Sequence, residues 1–254
     1  MKIEDIKEFL DEAVLKINTP NFINDDPVQF PRRYDLLQDQ EIAGFLTALI
    51  SWGKRSMILK NADKMLTLLG PSPYEWIMNE GYSDIPPHET IHRTFNTDDL
   101  KYIAKGLQAL YQQYDSMQSL FIQKDMFDGI ISLREIILQA NNNPGYRSEK
   151  HLSNPEKKSA CKRIHMFLKW MVRNDQIADL GVWKAVSPSK LYIPLDVHVI
   201  KVSHYLGLLT RNQNDRKAVE ELTECLRLFS PEDPVKYDYA LFGLGVTGYL
   251  KDKI

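Results

Sequence analysis

Apolar residues recur at three- and four-residue spacing along most of this chain, the period of a helix with one buried face. The spacing predicts helices over 3–17, 41–50, 56–69, 98–114, 117–123, 127–140, 159–173, 197–206, 216–229 and 234–244. Clusters of helix-breaking residues separate them: Pro20 to Pro31, Gly70-Pro71-Ser72-Pro73, Ile85-Pro86-Pro87 and Asn141-Asn142-Asn143-Pro144-Gly145. No stretch alternates apolar and polar residues at strand length between hairpin turns, so the expected fold class is all-α. Two charged connections, 143–158 and 174–191, exceed the usual length between helices and are expected to be functional or mobile.

Composition narrows the class. With 254 residues, 43% of them hydrophobic and 26% charged, the chain can bury a large core in one or two domains. No apolar run approaches the length of a membrane span, so no membrane partner is expected. The first residues, Met1 to Lys7, are acidic and amphipathic, unlike a secretory signal. Only Cys161 and Cys225 are present, far apart in sequence, which excludes a four-cysteine metal site and suggests a reducing, cytoplasmic setting. No metal and no cofactor is expected; His198 and His204 do not share a helix face. The net charge of -2 rules out binding of nucleic acid by bulk charge, so any such contact needs a local basic surface.

Two segments carry candidate chemistry. Pro194-Leu195-Asp196 is an extended turn before the apolar-periodic Val199, Val202, Tyr205 and Leu206, which places Asp196 at a helix start. There it can cap the helix by accepting backbone N–H bonds, or face a cleft as a fixed negative charge. In 154–173, Ile164, Phe167, Leu168 and Met171 form one apolar stripe. Lys157, Lys158, Lys162, Arg163, Lys169 and Arg173 crowd the first turns and the opposite face. This is either a solvated basic face or a phosphate-contacting surface.

Pro194-Leu195-Asp196-Val197-His198-Val199, followed by Leu206-Gly207-Leu208, resembles the catalytic-aspartate segment of the helix-hairpin-helix DNA glycosylase superfamily, which includes endonuclease III and the archaeal 8-oxoguanine glycosylases. Residues 39–69 are similar to that superfamily's early helix-turn-helix, and Tyr239-Ala240-Leu241-Phe242-Gly243-Leu244-Gly245 to its late helix. The chain departs from the superfamily where Asn154-Pro155-Glu156-Lys157-Lys158 stands in place of a glycine-bearing hairpin. The archaeal branch, which also diverges there, is the nearer likeness.

The resemblance implies two helical lobes with a cleft between them. A central lobe would span 39–173, residues 1–38 with 192–254 would form the other, and 174–191 would connect them. It implies base-excision glycosylase chemistry on double-stranded DNA, with possible lyase activity and with an oxidised purine such as 8-oxoguanine as substrate. Asp196 would stabilise positive charge on the sugar. Lys162, or Lys158 one turn earlier on the same face, would be the nucleophile, with the spacing to Asp196 favouring Lys162. Trp52, Lys54, Arg55, Lys157 and Arg163 would contact DNA, and His92 and Phe95 would line the base pocket. The plain alternatives are a core tryptophan at a helix end for Trp52, and a helix cap with a buried ring for 92–95. No cysteines follow Gly248, so no iron–sulfur cluster is expected. A non-catalytic helical DNA-binding or interaction protein, or a small-molecule enzyme using Asp196, would account for the same residues.

Overall fold

The structure is a computed structural model and describes residues 2–143 and 145–248. Pro144 of the asparagine-rich cluster and the closing residues 249–254 lie outside the described residues. The chain divides into two compact units, one of residues 23–154 and one of residues 1–22 with 155–254.

In the first unit, α3 (Leu37–Leu49) is the core element: Ile42, Ala43, Phe45, Leu46, Ala48 and Leu49 are all buried. A helix apolar all round must be covered on every side. It packs against α5 (Pro73–Met78) and the 3-10 turn Pro31–Arg33. α4 (Arg55–Leu68) leans on a short hairpin of β1 (Thr90–His92) and β2 (Phe95–Asn96). α6 (Thr97–Tyr111) and α7 (Met126–Asn141) pair closely because Gly106 has no side chain; a Cβ there would fall 2.7 Å from the Ile137 Cα. Glu41 is wholly buried in α3 yet well supplied with donors. It accepts from the Tyr111 hydroxyl at 2.9 Å, the Met117 N–H at 3.1 Å and the Ser116 hydroxyl.

In the second unit, α1 (Ile3–Ile17) and α9 (Val197–Tyr205) both pack on α11 (Asp238–Val246). Glycines again set the approach: a Cβ on Gly243 would lie 2.6 Å from Ile17, and one on Gly245 would lie 2.7 Å from His198. α10 (Arg216–Phe229) buries Val219, Leu222, Leu226 and Phe229 along one face. α8 (Lys162–Val172) buries the expected stripe, but it also buries Lys169. Lys169 Nζ lies 2.5 Å from Asp238 Oδ2 and 3.8 Å from the Tyr239 ring centroid. One turn on, Arg173 donates to Asp233 through a bifurcated Nε–H at 2.9 and 3.0 Å and through Nη2 at 2.9 Å, and also pairs with Asp179. Tyr239 donates its hydroxyl to Asp179 at 2.7 Å.

Several expectations are corrected. Residues 155–173 group with the discontinuous unit, not with 39–154, and residues 23–38 do the reverse. The reason is the ion-pair cluster, which fastens α8 to residues 233 and 238. Residues 174–191 likewise belong to that unit and do not connect the two: the N–H groups of Leu180 and Trp183 donate to the carbonyls of Trp170 and Met171, and Ala178, Trp183 and Leu191 are buried. α8 starts at Lys162 rather than 159, because Lys158 (φ 63°) and Cys161 (φ 50°) are left-handed. The expected helix at 117–123 is a 3-10 turn, Met117–Leu120. α2 (Pro20–Asn24) and α5 lie inside proline clusters that suggested only loops, and each opens on a proline, whose fixed φ suits a first helical position. The hairpin at 90–96 has strands too short to show alternation.

Replacing Glu41 by Ala leaves three buried donors unmatched and should lower unfolding free energy by about 3 kcal/mol; Glu41→Gln keeps an acceptor and should cost less. Urea midpoints of the two variants check this. Equal losses would show that volume, not hydrogen bonding, governs the site.

Candidate functional site

Asp196 stands where the local sequence puts it. Leu195 is buried, and Asp196 is extended at φ -120°, so its side chain folds back over the start of α9. Oδ1 accepts from the His198 N–H at 2.8 Å and the Val199 N–H at 3.0 Å. Oδ2 makes no hydrogen bond to the described residues. The capping role and the functional role are therefore compatible: one oxygen holds the helix, and the other is available. The His198 backbone that supplies the first donor is pressed against Gly245, and its ring meets Phe242 edge-on at 5.8 Å.

The two candidate lysines lie in the same unit as Asp196. They do not share a helix face as expected, since Lys158 precedes α8. Lys162 is the first residue of α8, half-buried, with Nζ 3.5 Å from Met166 Sδ. Lys158 is exposed, its N–H donates to the Pro155 carbonyl at 2.9 Å, and its own carbonyl accepts from the Arg216 N–H at 3.0 Å. Asp196 makes no ion pair with either lysine among the described residues. Lys157 is exposed, whereas Arg163 is half-buried and burial pushes its pKa down. Lys169 went unrecognised as a special residue. Burial alone would lower its pKa, but Asp238 and Asp179 more than offset this and raise it. An ammonium held in that way is a structural cation, not a nucleophile.

The remaining candidates gather in the other unit, around Trp52. The Trp52 carbonyl is 2.9 Å from His92 Nε2, and His92 Nδ1 is 2.8 Å from Asn61 Nδ2. The Trp52 ring stacks on His151 at 5.9 Å and meets His92 edge-on at 4.8 Å. Phe95 packs edge-on against His151, with ring centroids 5.0 Å apart. Phe95 is 0% exposed and His92 1%, so neither lines an open base pocket; both support Trp52, which is half-buried. Lys54 is exposed and Arg55 partly so, at the start of α4.

Beneath His151 lies Asp99, which nothing in the sequence singled out. Its Oδ2 is 3.3 Å from His151 Nε2, and its Oδ1 accepts from the Ser148 hydroxyl at 2.6 Å and from Arg147 at 2.9 Å. Burial raises its pKa, but the contacts from His151, Ser148 and the Asn96 N–H prevail and hold it at about 2. Asn96 and Asp99 also cap α6 reciprocally, Asn96 N to Asp99 Oδ2 at 2.9 Å and Asp99 N to Asn96 Oδ1 at 3.1 Å. The Asn-x-x-Asp spacing at 96–99 is the signal that could have found this residue.

Among the described residues, no group of three His, Cys, Asp or Glu side chains is placed to hold a metal ion, and no helix is long and apolar enough to cross a membrane. The arrangement defines a mostly helical protein with a carboxylate-capped helix in one unit and a tryptophan over a histidine–aspartate network in the other. The chain belongs to the family described as "Protein of unknown function (DUF2400)", which matches residues 26–247 and so spans both units. No curated protein and no solved structure matches it.

Asp99 supplies a pH signature. Its folded pKa of about 2 is below the ordinary 3.8, so the ionised form stabilises the fold above pH 3.8 and that contribution is lost as pH falls toward 2. Asp99→Asn should be less stable than wild type by about 2 kcal/mol near neutrality. The gap in urea midpoint should narrow as the pH is lowered below about 4; a gap independent of pH would contradict the assignment.

Proposed function

We propose that this protein is a base-excision DNA glycosylase with lyase activity, acting on an oxidised purine such as 8-oxoguanine in double-stranded DNA. The observation that carries the reading is Asp196: its segment resembles the superfamily's catalytic-aspartate segment, one carboxylate oxygen is fixed by two N–H groups of α9, and the other makes no hydrogen bond to the described residues. The substrate class rests on the likeness to the archaeal enzymes.

The chemistry follows from the side chains. The damaged base must leave the stack before its glycosidic bond can be reached. The amine of Lys162, having lost a proton, attacks C1′ as the C1′–N bond breaks and the base departs with the bonding pair. Asp196 stabilises the positive charge that develops on the sugar. One of the two protons left on the nitrogen passes to the ring oxygen as the C1′–O4′ bond breaks, which gives a protonated Schiff base; loss of a C2′ proton then expels the 3′ phosphate and cleaves the strand. Trp52, Lys54, Arg55, Lys157 and Arg163 contact the duplex.

A non-catalytic DNA-binding module is the second reading. It is favoured by the turn before α8, where Lys158 and Cys161 take the left-handed conformations that suit glycine.

Borohydride trapping on duplexes carrying 8-oxoguanine, uracil, thymine glycol or an abasic site separates the two. Wild-type protein should give a covalent adduct, and Lys162→Gln should abolish it while changing duplex affinity by less than about tenfold. Asp196→Asn should slow turnover by about a hundredfold or more yet cost under about 1 kcal/mol of stability, because asparagine also caps well. Adducts that survive Lys162→Gln and vanish in Lys158→Gln would transfer the nucleophile to Lys158. No adduct on any lesion, with an Asp196→Asn variant silent throughout, would leave the binding module.

A further inference from the structure

Gly53 follows Trp52 at φ 97°, a conformation that side chains rarely adopt. The space where its Cβ would stand is taken by Arg93, whose Nη1 lies 2.4 Å from that point. Arg93 is in the two-residue turn between β1 and β2, itself left-handed at φ 54°. The turn is fixed from both sides. His92 reaches the Trp52 carbonyl at 2.9 Å, and Arg147 donates to the Thr94 carbonyl at 3.0 Å. Two separate loops are thus laid together, with Arg93 over Gly53 and Lys54 next in the chain. Both cations are exposed, and neither side chain makes a hydrogen bond or ion pair with the described residues. α4 starts at Arg55 with no side-chain cap, so its positive dipole end lies in the same place.

We infer that Lys54 and Arg93 form a two-cation clamp on DNA backbone phosphates beside Trp52, with Gly53 as the spacer that lets the two loops meet. Exposed cations without acidic partners meet phosphate at little desolvation cost and release its counterions. A half-buried indole held on His151 beside them matches the alternation of base and phosphate along a nucleic-acid strand. The inference rests on the DNA-binding reading above and adds Arg93 and Gly53 to it.

The test is duplex binding by fluorescence anisotropy across a salt series, with an 8-oxoguanine duplex as probe. Arg93→Gln and Lys54→Gln should each reduce the slope of log K against log salt by about 0.9, and the double variant by about 1.8. Arg93→Lys keeps the charge and should keep the slope. Melting temperatures should barely move for the Gln variants, since neither side chain makes a hydrogen bond or ion pair among the described residues. Gly53→Ala should displace the guanidinium, reduce the slope as Arg93→Gln does, and add nothing in the Gly53→Ala/Arg93→Gln double variant. Wild-type slopes in Arg93→Gln and Lys54→Gln would overturn the clamp while DNA binding stands. Additive losses in the Gly53 double variant would overturn the spacer role. A wild-type protein that binds no duplex at low salt would overturn the clamp together with the reading beneath it.

Discussion

Buried Arg173 is held by two carboxylates that follow it in sequence, Asp179 six residues on and Asp233 sixty. With Lys169 on Asp238 and the Tyr239 hydroxyl on Asp179, this cluster is the constraint on which the discontinuous unit depends. Removing these charges from water is expensive, and the cost is recovered only while every partner is in place. The cluster therefore acts as a lock more than as a source of stability. It fixes the C-terminal end of α8 to the start of α11. Lys162 stands at the other end of α8, and α11 in turn receives α9 against Gly245, just behind Asp196. The placement of both candidate reacting groups follows from charges that take no part in the proposed chemistry.

The unit of residues 23–154 solves a different problem. Trp52 follows shortly after a helix that is buried almost throughout, yet its ring is left half-covered. What supports it is polar: His92 between Asn61 and a backbone carbonyl, and His151 above Asp99. Polar support of this kind defines one position for a ring, where an aliphatic cushion would allow several.

Legibility in the sequence followed the physics of each element. α1, α7 and α10 have wide apolar faces, and periodicity located them within a few residues. α2 and α5 were hidden by prolines that in isolation signal loops. The start of α8 was misplaced because two non-glycine residues, Lys158 and Cys161, adopt left-handed conformations that no local rule anticipates. Asp196 at a helix start was legible, since a carboxylate after a proline-bounded turn has few other places to go. Lys169 and Arg173 looked like members of a solvated face; only the fold reveals that Asp233 and Asp238 come back to meet them. Phe95 and His92 were visible as aromatic groups near a helix start, but their depth was not, because burial is decided by what packs above them.

The contacts of α1 with α11 and with the 3-10 turn Pro234–Tyr237 before it join segments that are far apart in time of synthesis as well as in sequence. The Tyr237 hydroxyl donates to Asp11 at 3.0 Å across a sequence separation of 226 residues. During synthesis α1 emerges well before α11 and waits for it with its apolar face uncovered. Residues 23–154 hold their own core and can fold meanwhile. The order of assembly then inverts the order of synthesis for these parts: the inner segment closes first, and α1, made before it, finds its partner after it.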